Sequence, residues 1–322
     1  MVSASVARAA DHVRIGVAHT TGASPSIIAK EKAMFAAEGI DAELLYFESA
    51  QPIAVAVASG DCDFGSTGMT AAFFNLASQG TLRIVGAGTW EHPAFQSVGL
   101  LVSNQAYAGG LHGLKDIGGH TVAITQLGSP LQFFVVEIAE HFHIAPSSVR
   151  FLPLQSNGNV ASAITGGQAD TAIQTSAPIF SMVARGDAKL LGWINDVLPP
   201  RQGEVLFVST KLANERPETV ARFMVAMRAG QAYLHDAFVN PKGERFEGPT
   251  AADDIRIISQ ALGQSEAVIR QGIPYFDRQS RVAVGDLASI MAWYKSQNML
   301  KSDIEAKALV DMRYAITMPE KK

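Results

Sequence analysis

The chain is short of cysteine, of charge and of long apolar runs, and each shortage excludes something. A single cysteine, Cys62, among 322 residues forms no internal disulfide and rules out a multi-cysteine metal site. Charged residues make up 17% and hydrophobic residues 48%, which excludes a disordered or polyelectrolyte chain. Lys and Arg number 26 against 30 Asp and Glu, for a formal net charge of −4. Nothing in that balance suggests a general phosphate-binding surface, so nucleic acid is not an expected partner. No apolar run approaches the ~18 residues that a membrane-spanning helix needs. Catalytic signatures are missing too: there is no G-x-S-x-G elbow, no Walker loop and no H-E-x-x-H. Gly86-Ala87-Gly88 lacks the third glycine of a dinucleotide fingerprint, since Glu91 stands there. The 8 histidines form no metal pattern; His141 and His143 are two apart, a spacing that does not share a helix face. No cofactor and no metal site is expected.

What is present is a duplication. The length suits about two domains, and self-similarity runs through the front two-thirds at one constant offset of 107 residues. Val13-Arg14-Ile15-Gly16-Val17 falls on His120-Thr121-Val122-Ala123-Ile124. Leu44-Leu45-Tyr46-Phe47 falls on Phe151-Leu152-Pro153-Leu154. Ser59-Gly60-Asp61-Cys62-Asp63-Phe64-Gly65 falls on Gly166-Gly167-Gln168-Ala169-Asp170-Thr171-Ala172, each with Gly-x-x-Asp before a short apolar strand that ends in hydroxyls. Each copy reads strand–helix–strand–helix–strand, with first helices over Pro25 to Glu38 and Pro130 to His143. Strands separated by helices imply parallel pairing with right-handed crossovers.

The expected fold class is therefore α/β: two lobes, each a mostly parallel sheet flanked by helices. Ser97 to Val102 and Gly203 to Val208 are read as the two strands crossing between them. Lobe one is expected over 11–101 plus 208–322 and lobe two over 102–207, with a hinge at Leu101, Val102, Val208 and Ser209. The last third reads as a helical tail without strands, packed on lobe one. Residues 1–10 read as a signal-peptide remnant or a disordered end, because Ala7-Arg8-Ala9 has the small-x-small pattern of a signal-peptidase site.

Several segments together resemble a known family. Glu38-Gly39-Ile40-Asp41-Ala42-Glu43, the Ser59–Gly65 segment, Leu114-Lys115-Asp116-Ile117-Gly118-Gly119-His120-Thr121-Val122-Ala123 and Leu309-Val310-Asp311-Met312-Arg313-Tyr314 are similar, in order and spacing, to motifs of periplasmic solute-binding proteins of the nitrate/sulfonate/taurine type. The resemblance implies the type II periplasmic-binding fold and an exported, monomeric protein. It further implies delivery of a small organic anion to the membrane subunits of an ABC importer, without catalysis. The same superfamily includes enzymes of the desulfinase and thiamine-pyrimidine-synthase kinds, which is the alternative reading. Those need a reactive cysteine or a histidine cluster in the cleft, whereas Cys62 occupies an aliphatic slot at the start of a buried strand.

In open parallel sheets, ligands bind beyond the carboxyl ends of the strands. Those ends here are polar and glycine-rich. The expected ligand-binding residues are His19, Thr20, Ser49, Ser66, Thr67, Trp90 and Glu91 in lobe one, and Gln126, Ser129, Asn157 and Thr175 in lobe two. Several of these open helices, whose free N–H groups favour an anion without a full positive charge. Each also reads as an ordinary helix cap. The expected ligand is a carboxylate or sulfonate held by some of Ser66, Thr67, Ser129 and Asn157. Trp90, Phe95 and Leu127 are expected against an apolar, aromatic-compatible body, and Glu91 is placed to accept a bond from a ligand amine or hydroxyl.

Overall fold

The structure, a computed structural model, describes residues 9–319, so all but the last two residues of the expected signal remnant lie outside it. Thirteen strands form three sheets among the described residues. In chain order they are β1 Asp11–Ala18, β2 Ile40–Phe47, β3 Phe64–Gly68, β4 Leu82–Ala87, β5 Thr89–Glu91, β6 Val98–Ser103, β7 Thr121–Ile124, β8 Arg150–Pro153, β9 Thr171–Thr175, β10 Ala188–Trp193, β11 Arg201–Gln202, β12 Glu204–Ser209 and β13 Tyr275–Phe276.

The two main sheets have one topology. Lobe one has the order β2-β1-β3-β12-β4, and lobe two, read in the matching direction, β8-β7-β9-β6-β10. In each, the first three strands are parallel, and the fourth is antiparallel to both its neighbours. The sequence offset survives as register: Ile15 pairs with Phe64, and Val122 with Thr171. It also explains the repeated Gly-x-x-Asp. The Arg14 N–H donates to the Asp63 carboxylate at 2.8 Å, and the Thr121 N–H to Asp170 at 2.8 Å. Each aspartate thus ties the strand that follows it to the first strand of its own copy.

Three differences from the sequence reading matter. The helix expected from Pro25 to Glu38 is two, Ser24–Glu31 and Met34–Ala37, broken at Ala33 with φ +57°. The expected hinge residues lie within sheets: Leu101 and Val102 in β6, Val208 and Ser209 in β12. Both strands are paired on both sides, so neither has torsional freedom to spare. The chain changes sheets before β6 and before β12, over 88–97 and 194–203. There β5 and β11 pair antiparallel, Arg201 opposite Glu91 and Gln202 opposite Trp90. Finally, the tail carries a strand after all, since β13 joins β5 on its other edge.

The tail's helix Pro217–Phe238 covers lobe one. Phe223 stacks on Phe64 with centroids 3.6 Å apart and planes 10° apart, and on Phe35 at 5.6 Å. Two later helices also reach lobe two. At the end of helix Glu266–Gly272, the Gly272 carbonyl accepts from Thr21 Oγ1 of lobe one at 2.8 Å and Ser176 Oγ of lobe two at 2.9 Å. On helix Val284–Ser296, Trp293 meets Phe133 of lobe two at 5.3 Å, while Tyr294 Oη donates to the Met69 carbonyl of lobe one at 2.9 Å. No helix among the described residues is long and apolar enough to cross a membrane.

Candidate functional site

The carboxyl ends of both sheets face one cavity of about 120 Å³ between the lobes. Helix starts supply much of its wall. Ser49 precedes helix Ala50–Ser59, and Ser129 precedes helix Pro130–His141. Asn157 is the first residue of helix Asn157–Thr165, and Thr175 precedes helix Ser176–Arg185. Ser129 Oγ accepts from the Gln132 N–H at 3.3 Å, so it caps its helix and still stands on the cavity wall. Two other hydroxyls on the wall cap nothing, because Thr67 Oγ1 and Thr175 Oγ1 are buried without a hydrogen-bond partner. An unpaired buried polar atom is costly, and these two hydroxyls are free to bond a group in the cavity. Apolar contact comes from Val98, Leu131 and Phe134.

The ionisable residues of the wall are Glu48, Glu91 and Glu204; no described lysine or arginine lines it. Glu91 is 3% exposed. Its Oε2 accepts from Ser97 Oγ at 2.5 Å. Burial pushes its carboxyl up to about 7, the nearby Glu204 charge pushing the same way and the Ser97 bond and Arg201 charge opposing. Arg201 also pairs with Glu137 of helix Pro130–His141. Burial likewise pushes Glu204 up to about 7, against bonds from the Thr89 N–H and the Ser66 hydroxyl. Room for the Glu204 carboxylate comes from missing side chains. A Cβ on Gly22 would lie 2.7 Å from its Oε1, and one on Gly88 3.0 Å from its Oε2.

The chain carries a family signature as well. The NMT1/THI5-like family profile matches residues 20–241. The chain belongs to the NMT1/THI5-like family. Solved structures share the fold of this NMT1/THI5-like chain over almost its whole length. The alkanesulfonate-binding protein SsuA from Xanthomonas axonopodis pv. citri, bound to MOPS, aligns with a TM-score of 0.75 at 17% identity, covering 95% of this chain and 99% of that one. The periplasmic nitrate-binding protein NrtA from Synechocystis PCC 6803 aligns at 0.76 and 14% identity, over 94% and 85%. The periplasmic aliphatic sulphonate binding protein SsuA from Escherichia coli gives 0.69 at 14% identity, over 97% and 95%. No curated relative matches the chain.

The expected ligand residues divide into three groups. Thr20, Ser49, Thr67, Glu91, Ser129, Asn157 and Thr175 line the central cavity. Gln126 lies with Leu127 in a wider outer cleft that shares Glu48, Ser49 and Thr125 with the inner cavity. Ser66 is one step back, bonded to Glu204. His19 is exposed and packs edge-on against Tyr46 at 5.2 Å, outside the cavity lining. Trp90 also stands apart. Side chains alternate along a strand, so Thr89 and Glu91 of β5 face the cavity while Trp90 points the other way, beside Ala283, Val284 and Thr317. Phe95, fully buried in the lobe-one core, stacks edge-on against Tyr275. The sequence reading missed Glu204, Glu48 and Phe134 as wall residues. A glutamate heading the apolar run Val205-Leu206-Phe207-Val208, directly after Gly203, was the available signal for Glu204.

Proposed function

We propose that this chain is the solute-binding component of an ABC importer, exported to the periplasm and closing its two lobes around one small organic acid. The observation that carries the reading is the convergence of helix starts from both lobes on one cavity, with two buried hydroxyls there still unpartnered. Helix starts favour negative groups. In this reading the acid, a carboxylate or sulfonate, rests against Ser129, Asn157 and Thr175 of lobe two and Thr67 of lobe one. Val98, Leu131 and Phe134 take the apolar part, in place of Trp90. The alkanesulfonate- and nitrate-binding proteins that share the fold support the assignment.

An enzyme on the same fold is the rival. Cys62, its only thiol candidate, is 1% exposed and lies outside the cavity lining. Burial pushes its thiol up to about 11, which disfavours the nucleophilic thiolate. A thermal-shift screen over organic acids tests the proposal: a ligand at about 100 times its Kd stabilises by about 2.7 kcal/mol. Chemical conversion of the stabilising compound would favour the enzyme.

A further inference from the structure

One helix carries much of the lobe-two side of the cavity. Ser129 stands just before helix Pro130–His141, and Pro130, Leu131 and Phe134 near its start also line the wall. The seat of that helix therefore fixes where these wall residues stand. Uncharged contacts fasten it to the rest of the chain near its start. The Ala71 N–H of lobe one donates to the Gly128 carbonyl at 2.9 Å, and Phe133 packs on Trp293 of the tail.

A further contact is an ion pair. Glu137 lies one turn beyond Phe133 and Phe134 on the same helix face, and it pairs with Arg201. Arg201 belongs to β11, in the 194–203 segment through which the chain returns to lobe one. Its side chain is held from several directions. Nε donates to the Pro199 carbonyl at 3.3 Å, and the guanidinium lies 5.7 Å from the Phe133 ring centre and 5.5 Å from that of Phe134. Only 12% of the arginine side chain and 21% of the glutamate side chain are exposed. A pair so enclosed is little screened, and losing one partner strands the other. The guanidinium also faces Glu91, its cross-strand neighbour in β5, yet Arg201 does not line the inner cavity. A further cavity of about 270 Å³, lined by Phe133, Phe134, Glu137, Arg201 and Asp286, leaves room for the two side chains to part. Asp286 does not compete for the arginine, since its Oδ2 accepts from the Gln202 N–H at 2.8 Å.

We propose that Arg201 is a positioning residue: its bond to Glu137 holds helix Pro130–His141 against β5 and β11, and so sets how much of the empty protein stands in the closed arrangement. The inference goes beyond the solute-binding reading, on which it rests for the closure itself, and it makes no choice of solute. When the pair parts, Ser129 and Phe134 turn away with lobe two, while Thr67 and Glu204 stay with lobe one. A smaller closed fraction weakens apparent affinity in proportion. Arg201 thus acts on binding without touching what is bound, and its reach to both Glu91 and Glu137 joins the cavity wall to the moving lobe.

The test uses the full chain without solute. Val55 of lobe one and Leu127 of lobe two are exposed and line the outer cleft. Nitroxide labels on Val55→Cys and Leu127→Cys, in a Cys62→Ala background, report the distance between the lobes by double electron–electron resonance. With Arg201 and Glu137 intact, the spacing should include a short-distance population. Glu137→Gln keeps the side chain's shape and removes its charge; it should lower the ratio of short to long distances at least about fivefold. Arg201→Met should do the same, and Arg201→Lys, which keeps the charge, should recover part of the loss. The double variant Arg201→Met with Glu137→Gln should be no more open than Arg201→Met alone, because both remove one bond. No short-distance population with the pair intact, an unchanged ratio in Glu137→Gln, or single effects that add in the double variant would overturn the inference. Should Arg201→Met fail to fold, Glu137→Gln decides alone. None of these outcomes involves a solute, so the brace can fail with the solute-binding reading standing, and a thermal-shift screen without a hit leaves the brace as measured.

Discussion

Replacing Glu204 by Gln should make the ligand-free protein more stable at alkaline pH and leave it nearly unchanged in acid. The substitution keeps the shape of the side chain and removes its titration. Gly22 and Gly88 still leave room for it; its one amide oxygen accepts from the Thr89 N–H, and the Ser66 hydroxyl, which can also accept, takes the amide N–H. The sign follows from the raised pKa. Below the ordinary value of 4.5 the carboxyl is protonated in both folded and unfolded chains and carries no electrostatic penalty. Above about 7 it is ionised in both, and the folded state alone bears the cost of burial. Raising a pKa from 4.5 to about 7 corresponds to about 3.5 kcal/mol at most, since each unit is worth about 1.4 kcal/mol. The wild-type stability that Glu204 allows is therefore present in acid and lost as pH climbs through that window. Removing the Glu204 charge also relieves Glu91, which it repels. The assay is urea unfolding of wild-type protein and variant at about pH 4, 6 and 8. Comparing the two proteins cancels groups that move the other way, such as Asp170 and Asp311, whose pKa values are lowered. A variant no more stable than wild type at the highest pH, or a difference that does not change with pH, would refute the reasoning.

The remaining predictions concern binding and closure. Thr67→Ala and Ser129→Ala should each weaken ligand binding by about 1–3 kcal/mol in calorimetry, the cost of a lost hydrogen bond to a charged group. Trp90→Phe should leave affinity unchanged, because Trp90 faces away from the cavity; a loss of affinity matching that of Thr67→Ala would return it to the site. Cys62→Ala should lower stability by about 1 kcal/mol and leave binding intact, and thiol reagents should react fast only with unfolded protein. Saturating ligand should reduce the radius of gyration in solution scattering, with the rotation absorbed over 88–97 and 194–203; an unchanged radius would count against closure.

The frame of the fold was legible because a duplication leaves the same marks twice. The 107-residue offset reappears as strand register, and each Gly-x-x-Asp proves to be a carboxylate tying two strands together. Strand-end hydroxyls were also readable, since the sheet topology aims those ends at one place. What escaped was anything decided by which way a side chain turns. Thr89-Trp90-Glu91 looks like a loop in sequence, and only as β5, paired on both edges by β11 and β13, does it show Trp90 turned from its neighbours. Glu204 was hidden by the apolar strand it opens, whose buried length reads as core. The crossing points were misplaced for a related reason: β6 and β12 are strongly apolar because they are central strands, and the chain turns between lobes in the more polar segments before them.

The central claim is that the inter-lobe cavity holds a small solute without changing it. Calorimetric titration with the compound that gives the largest thermal shift, followed by recovery of that compound for mass spectrometry, tests this most directly. The account predicts saturation at one molecule per chain, loss of affinity in Thr67→Ala, and a compound recovered with its mass unchanged. A compound recovered in altered form, or saturable binding indifferent to Thr67, Ser129 and Glu204 alike, would contradict it.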